Sequence, residues 1–298
     1  MKLSTPLRRT GRAGLAVALA ASLWLQGLAP VQAAGETPWW ERVDQLVTKR
    51  AYPAAELELR QALRDRAFRE QWADRAAYMM GFVQRRADRP KDALASFAAV
   101  PADSRWFLPA LAERAAIRRA LGEDAAAIAL YEQLLAATPD HTKDTVRAPL
   151  ADLYFSTGDH TKALAQYREL AKAFGPHQER ATFAWGWSLV RLNQEDAAIN
   201  IWKQGLEQYP TSRYGQAVRL AMGNLLLAKG DHLAASTYYN EAARQGKDEA
   251  LMARAELLAG EAYAESKEYG VAVSHYRAVP YDSPLREPAG YGEGWALW

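Results

Sequence analysis

The chain has 298 residues, no cysteine, 49% hydrophobic residues and 24% charged residues, which is the composition of a folded globular protein and excludes global disorder. The net charge of +2 arises in the first 33 residues, which hold four of the 37 cations and no acidic residue, so that 33 basic and 35 acidic residues remain. This balance gives no basis for nucleic-acid binding, and the lack of cysteine excludes disulfides, thiol nucleophiles and lipid attachment through cysteine.

Residues 1–33 have the pattern of a secretory signal peptide. A basic start is followed by the apolar run Ala13–Leu25, which is too short to span a bilayer comfortably. Small residues at Val31 and Ala33 then predict cleavage after Ala33. An uncleaved anchor is the alternative, and the polar and proline residues that interrupt the apolar run argue against it. We therefore predict that residues 34–298 form one mature domain, periplasmic or outside the cell, without a transmembrane segment.

The mature chain repeats itself every 34 to 38 residues. The marker of each repeat is an alanine, found at Ala55, Ala93, Ala127, Ala163, Ala198, Ala235 and Ala272. Four residues after each marker stands a large apolar residue: Leu59, Phe97, Tyr131, Tyr167, Trp202, Tyr239 and Tyr276. Twelve residues before each marker, from the second repeat onward, stands glycine or alanine: Gly81, Ala115, Ala151, Gly186, Gly223 and Gly260.

Apolar periodicity, turn glycines and capping aspartates predict two antiparallel helices per repeat and no strand. Small side chains let the paired helices approach, and the aromatic residue fills the space around that contact. The predicted helices lie near 38–49, 53–66, 70–86, 90–99, 106–120, 123–137, 143–156, 160–173, 178–192, 195–208, 212–228, 231–244, 248–265 and 269–278.

This pattern resembles the tetratricopeptide repeat, in which two antiparallel helices form a unit of about 34 residues. The resemblance covers about residues 38–298, although Val43 takes the small position in the first repeat. It implies an all-α solenoid, a right-handed superhelix of about seven repeats plus a truncated eighth. The stretch Tyr209–Tyr239 is similar to repeats of periplasmic division-coordinating and outer-membrane-assembly members, so a secreted bacterial envelope type is expected.

The last residues repeat the middle of an earlier helix. Gly294–Trp298 matches Gly186–Val190, so the sequence stops inside the first helix of an eighth repeat. Truncation of a longer solenoid is the favoured interpretation. A terminal cap is the alternative, although exposed tryptophans suit a polar cap poorly.

The sequence contains no constellation that predicts catalysis, a cofactor or a metal site. His160 and His232 share one repeat position directly after a turn Gly-Asp, which predicts exposed turn histidines and not metal ligands. Acidic and basic residues interleave along the helices and predict a solvated, ion-paired face.

The resemblance implies that the first helix of each repeat lines a concave groove that binds a protein or peptide. On that register the candidate binding residues are Tyr78, Phe82, Phe155, Arg180, Phe183, Trp187, Arg191 and Asn224. The sharpest patch is Arg180, Phe183, Trp187 and Arg191, since tryptophan and arginine often dominate interface energies. The alternative is that Phe183 and Trp187 pack against the next repeat.

Together these features predict a non-enzymatic periplasmic scaffold that binds proteins in the bacterial cell envelope. One alternative is the superhelical arm of a larger envelope enzyme, such as a soluble lytic transglycosylase. A second is a polysaccharide-secretion accessory, because aromatic grooves also hold sugars. The sequence predicts neither the partner nor the oligomeric state.

Overall fold

The structure, a computed structural model, describes residues 38–298, and the predicted signal at residues 1–33 lies outside this described part. Fifteen α-helices and one short 3-10 turn at Asp140–Thr142 build it, and no strand occurs between residues 38 and 298. The helices are α1 Trp39–Thr48, α2 Tyr52–Ala62, α3 Arg66–Arg86, α4 Pro90–Ala98, α5 Phe107–Ala120, α6 Asp124–Ala137, α7 Asp144–Thr157, α8 His160–Lys172, α9 Gln178–Arg191, α10 Glu195–Gln208, α11 Gly215–Ala228, α12 His232–Gln245, α13 Glu249–Glu265, α14 Tyr269–Ala278 and α15 Arg286–Leu297.

The first fourteen helices follow one another in seven pairs, each joined by a turn of two or three residues. The predicted all-α fold of seven repeats is therefore confirmed, and α15 is the first helix of the eighth. The largest shift from the predicted bounds at a helix start is at α3, which begins four residues early. Its extension has a local cause, because the Asp65 carboxylate accepts a hydrogen bond from the backbone N–H of Phe68 at 3.0 Å and caps the helix.

The marker alanines lie in the core as predicted. All seven have a relative exposure of 0%, and the large residues four positions later are at most 5% exposed. Burying one such side chain contributes about 1.5–3 kcal/mol. The repeated sequence pattern is thus the pattern of the hydrophobic core.

Close approach of the paired helices depends on the missing side chain of glycine. A Cβ added at Gly81 would lie 2.8 Å from the ring of Phe97, and one added at Gly260 would lie 2.6 Å from the ring of Tyr276. Gly186 and Gly223 meet Trp202 and Tyr239 in the same way, at even closer range. Each of these contacts joins the first and second helix of one repeat, so glycine and aromatic residue form one packing unit.

The turn inside each pair has a constant backbone geometry. Seven residues adopt the left-handed region, with φ between +57° and +90°, each five positions before a marker alanine. They are Arg50, Asp88, Gly122, Gly158, Asn193, Gly230 and Lys267. Glycine accepts this conformation without steric cost, and asparagine tolerates it better than most other residues. The identical turn in all seven pairs explains why the spacing of turn and core residues stays fixed although the repeat length varies.

A serine turn leads into α5, α11 and α15, and the serines before α5 and α11 also bond the preceding first helix. The hydroxyl oxygens of Ser104 and Ser212 accept hydrogen bonds from backbone N–H groups two residues later, at 3.0 and 3.1 Å. Each hydroxyl also donates to a carboxylate on the preceding first helix, Asp74 or Glu179, at 2.6 Å. The same side chain therefore shapes the turn and ties one repeat to the next. This turn precedes α11 and accounts for its start at Gly215, three residues later than predicted.

The helices form two compact units, one ending at Leu153 and one comprising Tyr154–Trp298. In each unit successive helices pack against one another. None of the helices in the described part combines the length and apolar character that crossing a membrane requires.

A buried glutamine joins two repeats in the second unit. The Gln216 amide nitrogen donates to the carbonyl oxygens of Ala242 and Asp248 at 3.3 and 3.2 Å. Its oxygen accepts from the backbone N–H groups of Lys247 and Asp248 at 3.2 and 3.1 Å. One side chain on α11 thereby bonds four backbone groups at the end of α12 and in the turn before α13.

Replacing Gln216 by leucine should lower the free energy of unfolding by about 2–4 kcal/mol, because buried backbone groups lose their partners. Urea unfolding followed by circular dichroism measures the change. The control is Gln204→Leu at an exposed position of α10, expected to stay within about 0.5 kcal/mol of the parent. Equal effects of the two substitutions would contradict the role assigned to Gln216.

Candidate functional site

One row of side chains on the first helices of the second unit defines the candidate surface. Trp187, Asn224 and Glu261 each directly follow the helix glycine of α9, α11 and α13, so they hold the same position in three successive repeats. Trp187 and Asn224 are half-buried and Glu261 is exposed. The row therefore runs from an aromatic through an amide to a carboxylate. We refer to Trp187, Asn224 and Glu261 as the polar–aromatic row.

Trp187 rests on the core of its own repeat. Its ring meets the fully buried Trp202 edge to face, with ring centroids 4.9 Å apart. The Trp202 indole N–H donates to the carbonyl oxygen of Phe183 at 3.0 Å, which fixes the indole in place. The contact with Trp202 thus fixes the position of the Trp187 ring, and part of the Trp187 side chain remains exposed to solvent.

Two predicted binding residues belong to the core. Phe183 is 2% exposed and packs against Tyr209 and Tyr214, and Tyr78 in the first unit is 5% exposed and stacks on Trp106 with centroids 5.0 Å apart. A side chain that is this deeply buried offers a partner almost no surface. The packing alternative therefore describes Phe183. The prediction of Tyr78 as a binding residue fails for the same reason, and neither residue belongs to the proposed surface.

Arg191, the last residue of α9, lies near His160, whose ring contacts Phe155. Arg191 is exposed, and its charge together with the larger effect of burial lowers the pKa of His160. The His160 ring meets Phe155 edge to face at 5.2 Å, and Phe155 is half-buried. His160 and His232 are themselves half-buried, each with a buried Nδ1. The predicted full exposure of these two histidines is wrong, because both begin a second helix and their rings turn inward.

Asn224 is held by the tyrosine beneath it. Its side-chain oxygen accepts a hydrogen bond from the Tyr239 hydroxyl at 2.8 Å. Burial, and to a lesser extent the negative charge of Glu261, raises the pKa of Tyr239, so the phenol stays protonated and keeps donating. The Asn224 amide N–H₂ is left as a fixed donor at the surface of the row.

The remaining predicted residues lie on other parts of the two units. Arg180 is half-buried in the first turn of α9. Phe82 belongs to the first unit, where it is half-buried and its ring carries the Arg86 guanidinium 5.1 Å above its centroid. The second unit thus holds Phe155, Trp187, Arg191 and Asn224 as partly open side chains.

Sequence reasoning missed a cluster of tryptophans in the first unit. The Arg75 guanidinium lies 4.0 Å from the ring centroid of Trp40, 5.3 Å from that of Trp106, 5.6 Å from that of Trp39 and 5.9 Å from that of Trp72. Such distances are favourable cation–π contacts. The sequence does show Trp39–Trp40 and, a repeat later, Trp72 with Arg75. The cluster draws on three repeats, however, so the spacing within one repeat does not reveal it.

The described part of the chain contains no group of three or more histidine, aspartate or glutamate side chains placed to hold a metal ion. A hydrogen bond of 2.7 Å joins His275 Nδ1 to the Glu256 carboxylate. The His275 ring also stacks on Tyr263. These contacts join α13 to α14 and are structural.

The tetratricopeptide-repeat family model matches residues 149–213 and 220–286. These segments belong to that family, which confirms the resemblance seen in the sequence. No curated protein matches the chain.

Solved structures show the same fold. The C-terminal part of a tetratricopeptide-repeat protein from Cytophaga hutchinsonii is 13% identical, with a TM-score of 0.66 over 85% of this chain and 98% of that one. A tetratricopeptide-repeat protein from Parabacteroides merdae is 17% identical, with a TM-score of 0.50 over 87% and 98%. A chain of the Naa15/Naa10 complex bound to HypK-THB is 15% identical, with a TM-score of 0.58 over 87% and 39%. At these identities the likeness concerns the fold alone.

Alanine at Gly186 should destabilise the second unit by about 1–3 kcal/mol, because its Cβ would collide with the fixed Trp202 indole. It should also change the near-ultraviolet circular dichroism of the Trp187–Trp202 pair. The matched control is Gly294→Ala, at the equivalent position of α15, where an added Cβ meets no atom within 4 Å. That control should be neutral or stabilising, and a loss as large as at Gly186 would refute the packing argument.

Proposed function

We propose that this chain is a non-enzymatic scaffold of the bacterial cell envelope that acts in the periplasm and binds another protein. The signal-like sequence of residues 1–33 supports the location. The repeat family and the all-helical fold support the scaffold role, since stacked repeats present an extended surface.

The observation that carries the proposal is the partly open surface around Trp187. Its indole sits on a fixed core residue, Asn224 presents a fixed amide, and Arg191 adds an exposed cation. A large aromatic ring beside an arginine is the composition of interface hot spots. Because the supporting contacts already fix Trp187 and Asn224, little side-chain freedom is lost when a partner binds.

The polar–aromatic row suggests how a partner would be oriented. Trp187 offers apolar area, Asn224 a donor, and Glu261 an exposed carboxylate. These groups lie on successive first helices, so a polypeptide that follows the row meets them in order. We propose that binding uses this order to fix the direction of the partner chain.

The double substitution Trp187→Ala and Arg191→Ala should abolish capture of the physiological partner from periplasmic extract of the source bacterium. The measurement is affinity capture with the purified chain, followed by quantitative mass spectrometry. Loss of the indole removes most of the apolar contact, and loss of the guanidinium removes its charge-assisted hydrogen bonds.

The matched control changes Leu233 and Lys203 to alanine, two exposed positions on second helices. It should capture the same proteins as the parent, and circular dichroism should show equal folding of all three forms. Unchanged capture by the Trp187/Arg191 variant would place the binding surface elsewhere. Recovery of the chain with cytoplasmic instead of periplasmic markers would contradict the proposed location.

A further inference from the structure

The first unit holds an arginine that is enclosed by aromatic rings and forms no direct ion pair with another described residue. Arg75 is half-buried among Trp39, Trp40, Trp72 and Trp106, and it forms no ion pair within residues 38–298. Burial is the main cause that lowers its pKa, nearby Arg105 adds to this effect, and the negative charge of Asp74 partly opposes it. The protein therefore keeps a desolvated cation where its fold does not require one for neutrality.

Two other first-helix arginines of this unit have acidic partners. Arg85 on α3 pairs with the buried Glu113 on α5, and Arg119 lies 3.7 Å from the Asp152 carboxylate. These ion pairs neutralise the cations inside the unit. Arg75 has no such ion pair in the described part of the chain and is surrounded by indole rings instead.

The acidic residue beside Arg75 is already engaged. One Asp74 oxygen accepts from the Ser104 hydroxyl at 2.6 Å, and the other accepts from the backbone N–H of Arg75 at 2.7 Å. These bonds belong to the turn before α5 and to the helix itself. Neither bond engages the Arg75 guanidinium, and its Nε is buried without a hydrogen-bond partner among residues 38–298.

The tryptophan cage also fixes the guanidinium before anything binds. The four indole rings restrict its position, and ordering a free arginine side chain otherwise costs conformational entropy on binding. Arg105 is exposed beside it and adds a second positive charge. A planar carboxylate fits this arrangement, because it accepts two parallel hydrogen bonds from one guanidinium.

We propose that the Arg75–Arg105 pair is a docking site for a carboxylate side chain in an acidic segment of a partner polypeptide. The tryptophan cage supplies preorganisation and apolar contact, and the two guanidiniums supply complementary charge. The site lies in the first unit and uses none of the residues of the polar–aromatic row. It rests on the proposed role as a protein-binding scaffold only in that the ligand is a polypeptide.

The test uses the full chain and a blocked peptide of six glutamates, with a peptide of six glutamines as its uncharged match. NMR of the indole N–H groups and calorimetric titration at low salt measure binding. We expect saturable binding of the glutamate peptide, shifts of the four cage indoles, and affinity that falls as salt rises. Equal binding of the glutamine peptide, or no saturable binding, would overturn the proposal.

Three variants locate the site. Arg75→Met keeps the apolar stem and should weaken binding about tenfold or more, and Arg105→Gln, which leaves the cage intact, should weaken it about threefold. Arg66→Met is the control, since Arg66 is exposed on the same helix and pairs with Glu70. It should leave the affinity unchanged, and a loss equal to that of Arg75→Met would refute the site.

Glu36 precedes Trp39 by three residues and lies outside the described residues. Glu36→Gln should leave peptide affinity unchanged if an external carboxylate is the natural occupant. Binding that appears only in this variant would overturn the proposal, because the chain's own carboxylate would then fill the site. The Arg75→Met variant should still capture the partner of the Trp187 surface. That result would separate the carboxylate site from the proposed function, so that loss of one does not imply loss of the other.

Discussion

The contact between a small residue on the first helix and a large residue on the second is the constraint on which the structure depends. Glycine brings the helices close enough for an aromatic ring to fill the interface, and the ring in turn leaves no room for a larger residue. The marker alanine, four residues before the ring, is buried in every repeat. Because each pair satisfies its own packing, repeats of different length are accommodated by the segments between pairs.

The same contact positions the candidate surface. The residues that directly follow Gly81, Gly186 and Gly223 lie half-buried at the edge of the packed interface. This explains why Trp187 rests on Trp202 and why Asn224 is hydrogen-bonded to Tyr239. Side chains in that position are held by the core while they face outward, and such preorganisation favours binding. Fold and surface are therefore consequences of one packing rule.

Most of the fold could be predicted from the sequence, because it follows from residues at fixed short spacing. Ala198 and Trp202, for example, are four residues apart, so they lie on the same face of one helix and identify it as the face that packs in the core. The turn residues were harder, since Arg50 and Lys267 do not reveal a left-handed backbone by their type. Gln216 was missed because its four hydrogen bonds reach the turn some thirty residues later.

The surface was predicted less well than the fold. Trp187, Asn224 and Phe183 share the predicted groove register, but only Trp187 and Asn224 are partly open. Phe183 packs against Tyr209 and Tyr214. Whether an aromatic side chain is open or buried depends on the neighbouring repeat, and no spacing within one repeat encodes that. The tryptophan cage around Arg75 combines residues from three repeats, so only the folded arrangement reveals it.

A double-mutant cycle on Gly81 and Phe97 tests the packing rule most directly. Gly81→Ala should cost about 1–3 kcal/mol of unfolding free energy in the parent, because the added methyl would collide with the ring. In a Phe97→Leu background the same substitution should cost much less, giving a coupling energy of about 1 kcal/mol or more. Additive effects of the two substitutions, with no coupling, would show that the glycine–aromatic contact does not determine how the helices pair.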